Sequence, residues 1–388
     1  MPTLLANGPI LTDGAFRDDH AVVVDGARIA AVGPEAHLRE AFPDAALRDL
    51  KGDRLVPGYI DTQVNGGGGV LFNDAPTPET IARIGAAHRR FGTTGFLPTL
   101  ISDDLSVIDQ AIDAVEQAML EGVPGVLGLH IEGPFLNVAR KGIHDPNKFR
   151  TLDDDAVRLL TRMKTGRTLI TLAPETTTPD LITALVEGGA LVAAGHTDAD
   201  YQTIRIALDA GVTGFTHLFN AMSPLTSREP GVVGAALESQ TAWCGIIVDG
   251  HHVDPVVLKL ALRCRPADRF MLVTDAMPSV NAPHPGDGED HFYLQGRRIS
   301  VKDGACLDER GVLAGSDLDM AAAVRNARDL LGLDLPTAVM MASSAPAAFL
   351  GLSHERGRIA PGLAADLLVL DSDLSLVESW IDGVVQRP

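Results

Sequence analysis

"ALVAAGHTDADYQTIRIALDAGVTGFTH", residues 190–217, holds two short apolar runs, each closing on a histidine, on either side of a segment of different rhythm. In that segment Tyr201, Ile204 and Leu208 recur three and four residues apart, the period of a helix with one buried face. The flanking runs are too short for helices and read as strands. The stretch therefore predicts strand, helix, strand, with His196 and His217 at the same end of two neighbouring strands.

The rhythm extends both ways. Upstream lie "RLVPGYID" (54–61), "TGFLPTL" (94–100), "VLGLHIE" (126–132) and "TLITLAPE" (168–175); downstream come "CGIIVDG" (244–250) and "FMLVTD" (270–275). With the first two runs these make eight strand candidates, most of them separated by helical periods such as "TPETIARIGAAHRRFG" (77–92) and "DDLSVIDQAIDAVEQAMLEG" (103–122). Near-continuous apolar strands suit a parallel sheet buried on both faces. Eight such units with short loops predict an α/β fold, a (β/α)8 TIM-like barrel, with a doubly wound open sheet as the alternative. Polar residues favour the barrel: Asp61, Gln63 and Asn65, Glu132, Glu175, His196, His217, Asp249 and Asp275 stand at the ends of successive runs. A barrel gathers those ends at its C-terminal mouth.

Both ends of the chain read differently. "AVVVDGARIAAVG" (21–33) is two β-rich runs around a turn at Asp25-Gly26, and "GRIAPGLAADLLVLDSDLSLVESWIDG" (357–383) alternates short apolar runs with Gly, Pro and Asp turns. The expected organisation is a small β-sandwich domain formed by both termini, residues 1–54 and 351–388, around a barrel over 55–350. After the eighth run, "PHPGDGEDHFYLQGRRISVKDGACLDERGVLAGS" (283–316) has no helical period and reads as a β-rich excursion before the last helix, "DLDMAAAVRNARDLLG" (317–332).

Composition bounds the function. The 388 residues carry a formal charge of −19 and no concentrated basic patch, so neither nucleic acid nor an anionic membrane is expected as partner. An anionic small molecule would need its own cationic side chains, because the global field fades within roughly 8 Å. Cys244, Cys264 and Cys306 are odd in number and lack a CxxC spacing, which indicates neither a disulfide framework nor a thiolate cage. With no signal-like N-terminus and no long apolar stretch, a cytoplasmic setting is expected.

Glu132, His196 and His217 end three different strands and form the carboxylate-plus-imidazole set of a catalytic zinc site with an open position for water. One divalent ion per chain is expected, Zn²⁺ first among the first-row ions such a set binds. A divalent ion brings its water towards neutrality as a nucleophile for an amide carbonyl. Asp275 is placed to take the water proton and pass it to a departing amine.

"HIEGPFLN" (130–137), "RKGIHDP" (140–146), "AAGHTDADY" (193–201), "GFTHLFNAMSPLTSREPGVVGAAL" (214–237), "IVDGHHVDP" (247–255), "LVTDAMP" (272–278), "LAGSDLDM" (313–320) and "GRIAPGLAADLLVLD" (357–371) resemble, in this order, the N-acetylglucosamine-6-phosphate deacetylase family of the amidohydrolase superfamily. The resemblance implies hydrolysis of the acetamide of N-acetylglucosamine 6-phosphate, on a barrel with a terminal β-sandwich, in a homodimer. Position by position it implies Glu132, His196 and His217 as metal ligands, Asp275 as acid/base, and His144 orienting the substrate and polarising its carbonyl. It also implies Arg228, His252 and the backbone of Asn220 and Ala221 at the phosphate. His251 does not fall on a matched position. Asp317 and Ser223 depart from the pattern and leave the galactosamine epimer open as substrate. A barrel kept only for binding, without catalysis, is the alternative from another class; the presence of every ligand and of Asp275 speaks against it. Where the superfamily often has His-x-His for a second metal, this chain has Gln63-Val64-Asn65. Amide oxygen is a weak ligand beside imidazole nitrogen, so a single-metal site is expected, with Gln63 and Asn65 facing water or substrate.

Overall fold

The computed structural model describes residues 1–283 and 290–387. Eight parallel strands follow one another in chain order: Tyr59–Val64, Thr93–Ile101, Gly128–Glu132, Arg167–Leu172, Leu191–Ala194, Gly214–Phe215, Trp243–Ile246 and Phe270–Leu272. Each of the eight runs contributes one of them, and nearly every strand residue is buried. The sheet closes on itself just beyond the last strand. Asp275 N–H donates to the Gln63 carbonyl at 3.0 Å and Asn65 N–H to the Ala276 carbonyl at 2.9 Å. The open-sheet alternative is thereby excluded.

Local chemistry sets many of the helix starts. Helices Pro78–Arg89, Pro179–Glu187 and Pro255–Cys264 each begin with proline behind a Thr77, Thr178 or Asp254 cap whose side-chain oxygen accepts a backbone N–H. Proline lacks the donor that the first helical turn cannot satisfy anyway, so it favours entry into the helix. Among the described residues no helix is long and apolar enough to cross a membrane.

The N-terminal end of the barrel is sealed. Ile60, Leu97, Leu169, Ala193 and Met271 from five strands, and Leu127 just before the third strand, pack with Phe349. A Cβ at Gly214 would stand 3.0 Å from that ring, which is why the sixth strand has none there. With this end plugged, only the opposite end can admit a substrate.

Two further sheets pack as a sandwich. One, of four strands, is built from the first 49 residues. The other interleaves Ile10–Thr12, Ala15–Arg17 and Arg54–Pro57 with Leu367–Leu370, Leu376–Ile381 and Val384–Gln386. Leu5, Val22 and Ile29 of the first sheet meet Leu55, Leu367 and Trp380 of the second. Arg54–Pro57 pairs antiparallel with Leu367–Leu370, so "RLVPGYID" is not one strand. Its first half belongs to the sandwich and its second half to the barrel, and the expected boundary at 54/55 moves past Pro57. Gly58 marks the change: any Cβ there would strike Thr94.

The excursion after the eighth strand forms a four-stranded antiparallel sheet, His291–Leu294, Arg297–Lys302, Ala305–Asp308 and Leu313–Ser316. Residues 284–289 of the predicted β-rich stretch lie outside the described residues. Helix Met320–Asp329 follows as expected but is not the last, because Leu335–Ala342 and Ser344–Phe349 come after it. Alanine-rich and short, these two lacked a clear amphipathic period.

Candidate active site

Glu132 is the last residue of the third strand, while His196 and His217 each stand two residues beyond theirs. Both histidines have left-handed backbones, φ +48° and +32°, and so does Asp275 at +53°. Such φ values are uncommon away from glycine and cost of order 1–3 kcal/mol each.

The three ligand candidates converge. Glu132 Oε1 stands 3.2 Å from His196 Nε2 and 2.9 Å from His217 Nε2, and the two nitrogens are 3.1 Å apart. Ligands of a tetrahedral zinc ion, bound at ~2.0–2.1 Å, sit about 3.3 Å from one another. The triangle fits a first-row ion with shifts of a few tenths of an ångström. His196 Nδ1–H donates to the Arg140 carbonyl at 2.8 Å, which reserves its Nε2 lone pair for the ion. Among the described residues this is the one group of His, Cys, Asp and Glu gathered closely enough to hold a metal. Burial alone would push Glu132 up, but hydrogen bonds from His196 and His217 outweigh it and hold the carboxyl well below the usual range.

Asp275 stands beside this group, 9% exposed. Burial first, then the charge of Glu132, raises its pKa to about 6, within reach of a neutral-pH base. Gln63 and Asn65, expected to face water or substrate, are engaged by the two carboxylates. Gln63 Nε2 donates to Glu132 Oε2 at 3.2 Å and Asp275 Oδ1 at 3.1 Å, and Asn65 Nδ2 donates to Asp275 Oδ1 at 2.6 Å. Both amides are buried and hold the two carboxylates in place. Donor hydrogens, not lone pairs, meet the two carboxylates, and Asn65 Oδ1 is buried without a hydrogen-bond partner among the described residues. Asp61 works one layer lower: it accepts from the Thr274 hydroxyl at 2.5 Å and ties the first strand to the residue before Asp275.

A cavity of about 160 Å³ opens onto Glu132, His196, His217 and Asp275 and is also lined by His144, Asn220, Ala221 and His252. His144 is driven well towards neutrality by burial. His252 donates through Nδ1 to Asp249 at 2.6 Å. Of the two backbone donors expected at Asn220-Ala221, that of Asn220 is taken by the His217 carbonyl at 3.0 Å. Among the described residues the Ala221 N–H has no backbone acceptor. Arg228 is not brought in: it is exposed, on the loop after Ala221, and does not line the cavity.

Other sequence signals resolve elsewhere. Glu175 accepts from Asn137 at 2.8 Å and Thr197 at 2.5 Å, joining two loops outside the cavity. His251 contacts the Asp303 carbonyl at 2.9 Å on the surface. The Ser223 hydroxyl donates to the Ala199 carbonyl and accepts from Val232 N–H, so it braces the loop. Asp317 lines a neighbouring cavity with Ser279. Neither departure reaches the cavity beside the metal group. Ser102, whose Oγ is 2.8 Å from His144 Nδ1, was missed, and Asp249, read only as the end of a run, proves to hold His252. Each follows the end of a strand, the same signal that marked Glu132.

The amidohydrolase family model matches residues 54–387, and a model of an imidazolonepropionase-like composite domain matches residues 21–45. The chain is 44% identical to an N-acetylgalactosamine-6-phosphate deacetylase from Shewanella sp. (strain ANA-3), over 98% of this chain and 95% of that protein. It resembles the crystal structure of N-acetylglucosamine-6-phosphate deacetylase from Pasteurella multocida with a TM-score of 0.94 and 33% identity over 100% of both chains. A mutant of the Mycobacterium smegmatis N-acetyl-D-glucosamine-6-phosphate deacetylase, solved in complex with N-acetyl-D-glucosamine-6-phosphate, matches with a TM-score of 0.89 and 32% identity over 99% of each chain.

Proposed function

This chain belongs to the amidohydrolase family, among its deacetylases of N-acetylated amino-sugar 6-phosphates, and we propose that it hydrolyses the acetamide of N-acetyl-D-glucosamine 6-phosphate to D-glucosamine 6-phosphate and acetate. The observation that carries this reading is the buried Glu132–His196–His217 triangle with Asp275 beside it, in a cavity that is also lined by His144 and His252.

A single divalent ion held by Glu132, His196 and His217, Zn²⁺ in this reading, would supply Lewis acidity towards the carbonyl and bring water into its nucleophilic range. Asp275 accepts the proton of the attacking water and returns it to the amine nitrogen as the C–N bond breaks. His144 donates from its cavity-facing nitrogen to the carbonyl oxygen, where negative charge develops. His252, oriented by Asp249, and the Ala221 amide receive the phosphate. The setting is cytoplasmic in this reading, in keeping with three unpaired cysteines.

A second reading, the galacto epimer, is favoured by the 44% identity to a galactosamine-directed relative. The epimers differ in one hydroxyl, which a few hydrogen bonds discriminate. Kinetics on a panel decide. Either 6-phosphate is expected to exceed unphosphorylated N-acetylglucosamine by about 10² or more in kcat/KM, since charge-assisted bonds to phosphate are lost with it. Equal rates with and without phosphate would remove His252 and Ala221 from the phosphate site, and the ratio between the two phosphates names the epimer.

Arg228 joins the phosphate in this reading from a second copy, in a homodimer, since in its own chain it lies outside the cavity. Arg228→Ala and Asp275→Asn chains, each impaired alone, should regain about a quarter of native activity when refolded together, because a two-fold dimer then holds one intact site in half of its members. No recovery in a verified hybrid would place Arg228 in its own chain's site or in none.

A further inference from the structure

Ser102 directly follows the second barrel strand, and two of its groups converge on His144. Its Oγ lies 2.8 Å from Nδ1 and its backbone N–H points to the same nitrogen at 3.4 Å. A backbone N–H can only donate, so Nδ1 is the unprotonated nitrogen and the ring proton sits on Nε2. The space for the hydroxyl is provided by Gly133: a Cβ there would stand 2.3 Å from Ser102 Oγ. Ser102 and His144 are both buried.

The excursion reaches this pair from outside the barrel. At the turn between His291–Leu294 and Arg297–Lys302, Gln295 takes a left-handed backbone, φ +49°, and its Nε2 donates to the Ser102 carbonyl at 3.1 Å. Arg297 donates to the carbonyl of Ile143, the residue before His144. Leu294 and Ile299 pack with Ile101 and Ile143, so the chain on both sides of the Ser102–His144 contact is anchored to one hairpin.

We infer that Ser102 is a positioning residue that fixes the Nε2–H tautomer and the direction of His144, and that the hairpin around Gln295 and Arg297 is the clamp that holds Ser102 and His144 in register. The inference deepens the reading of His144 as the donor to the substrate carbonyl and rests on it. It gives the excursion a part in the chemical step that runs through His144; Ser102 Oγ also lies 3.5 Å from the Glu132 carbonyl, so ion content is measured beside turnover.

A double-mutant comparison tests it, with Ser102→Ala made on the native chain and on His144→Asn, and kcat, KM and ion content measured for each. His144→Asn alone is expected to lower kcat by about 10²–10³, as loss of one donor to a developing oxyanion does. Ser102→Ala should lower kcat by about tenfold or more on the native chain, as loss of an orienting partner does, with KM and ion content within about twofold. On His144→Asn it should change kcat by less than about twofold, because a residue that acts only through His144 has nothing left to act on. An N-trifluoroacetyl substrate, whose carbonyl needs less polarisation, should feel Ser102→Ala several times less than the N-acetyl one.

Equal losses in both backgrounds, or on both acyl groups, would make Ser102 a general structural residue and overturn the inference. Full turnover in His144→Asn would instead remove the reading beneath it. Gln295→Ala, which leaves the barrel strands intact, repeats the comparison if Ser102→Ala does not fold, and the same two patterns decide.

Discussion

Asp275→Asn is expected to lower kcat by about 10³, within the range for loss of a general acid/base, while one divalent ion per chain is retained. Asn is isosteric, and Gln63 and Asn65 would still surround it, so the fold and the metal group should survive. What disappears is the site that takes a proton from water and gives it to the amine. The native pH profile should show kcat falling as pH drops through about 6 or somewhat below, where Asp275 becomes protonated and the base form is lost. A cation on Glu132 would cancel part of the charge that raises Asp275 and move that limb downward. The limb should be absent from the residual activity of Asp275→Asn. Native-like turnover in this variant would end the assignment of Asp275 as proton carrier.

Removing the metal should have a comparable effect. Chelation is expected to lower turnover by about 10³ or more and Zn²⁺ to restore it, because without Lewis acidity the water remains far from its nucleophilic range. His217→Ala deletes one corner of the triangle and should lose the ion on dialysis, with activity not restored at the Zn²⁺ concentration that saturates the native chain. Titration of the native chain should find one tightly held ion. Two tight ions would show that the amides of Gln63 and Asn65 do not close the second position. Undiminished activity in fully stripped protein would discard the metal-dependent reading altogether.

Much of this was legible in the chain itself. Strands and helices announce themselves through period, and a parallel barrel sends every strand end to one mouth, so Glu132, His196, His217 and Asp275 could be grouped before any contact was known. Errors arose where a residue's partner lies far along the chain. Gln63 and Asn65 were expected at the mouth, facing water or substrate, and their partner Asp275, more than 200 residues away, shows only in the fold. The run at 54–61 looked like one strand because both halves are apolar; only pairing with Leu367–Leu370 divides it.

The barrel, the terminal sandwich and the grouping of Glu132, His196, His217 and Asp275 at one mouth could be read from the sequence alone, because local period and residue chemistry suffice for them. Tertiary structure decided which way each polar group is used. Barrel closure brings Asp275 against two amides, the course of one loop leaves Arg228 outside the cavity, and a hairpin some 190 residues from Ser102 reaches back to it. Hydrogen-bond direction and loop course carry no sequence period. They follow from packing of segments distant in the chain, so they become visible only once those segments have met.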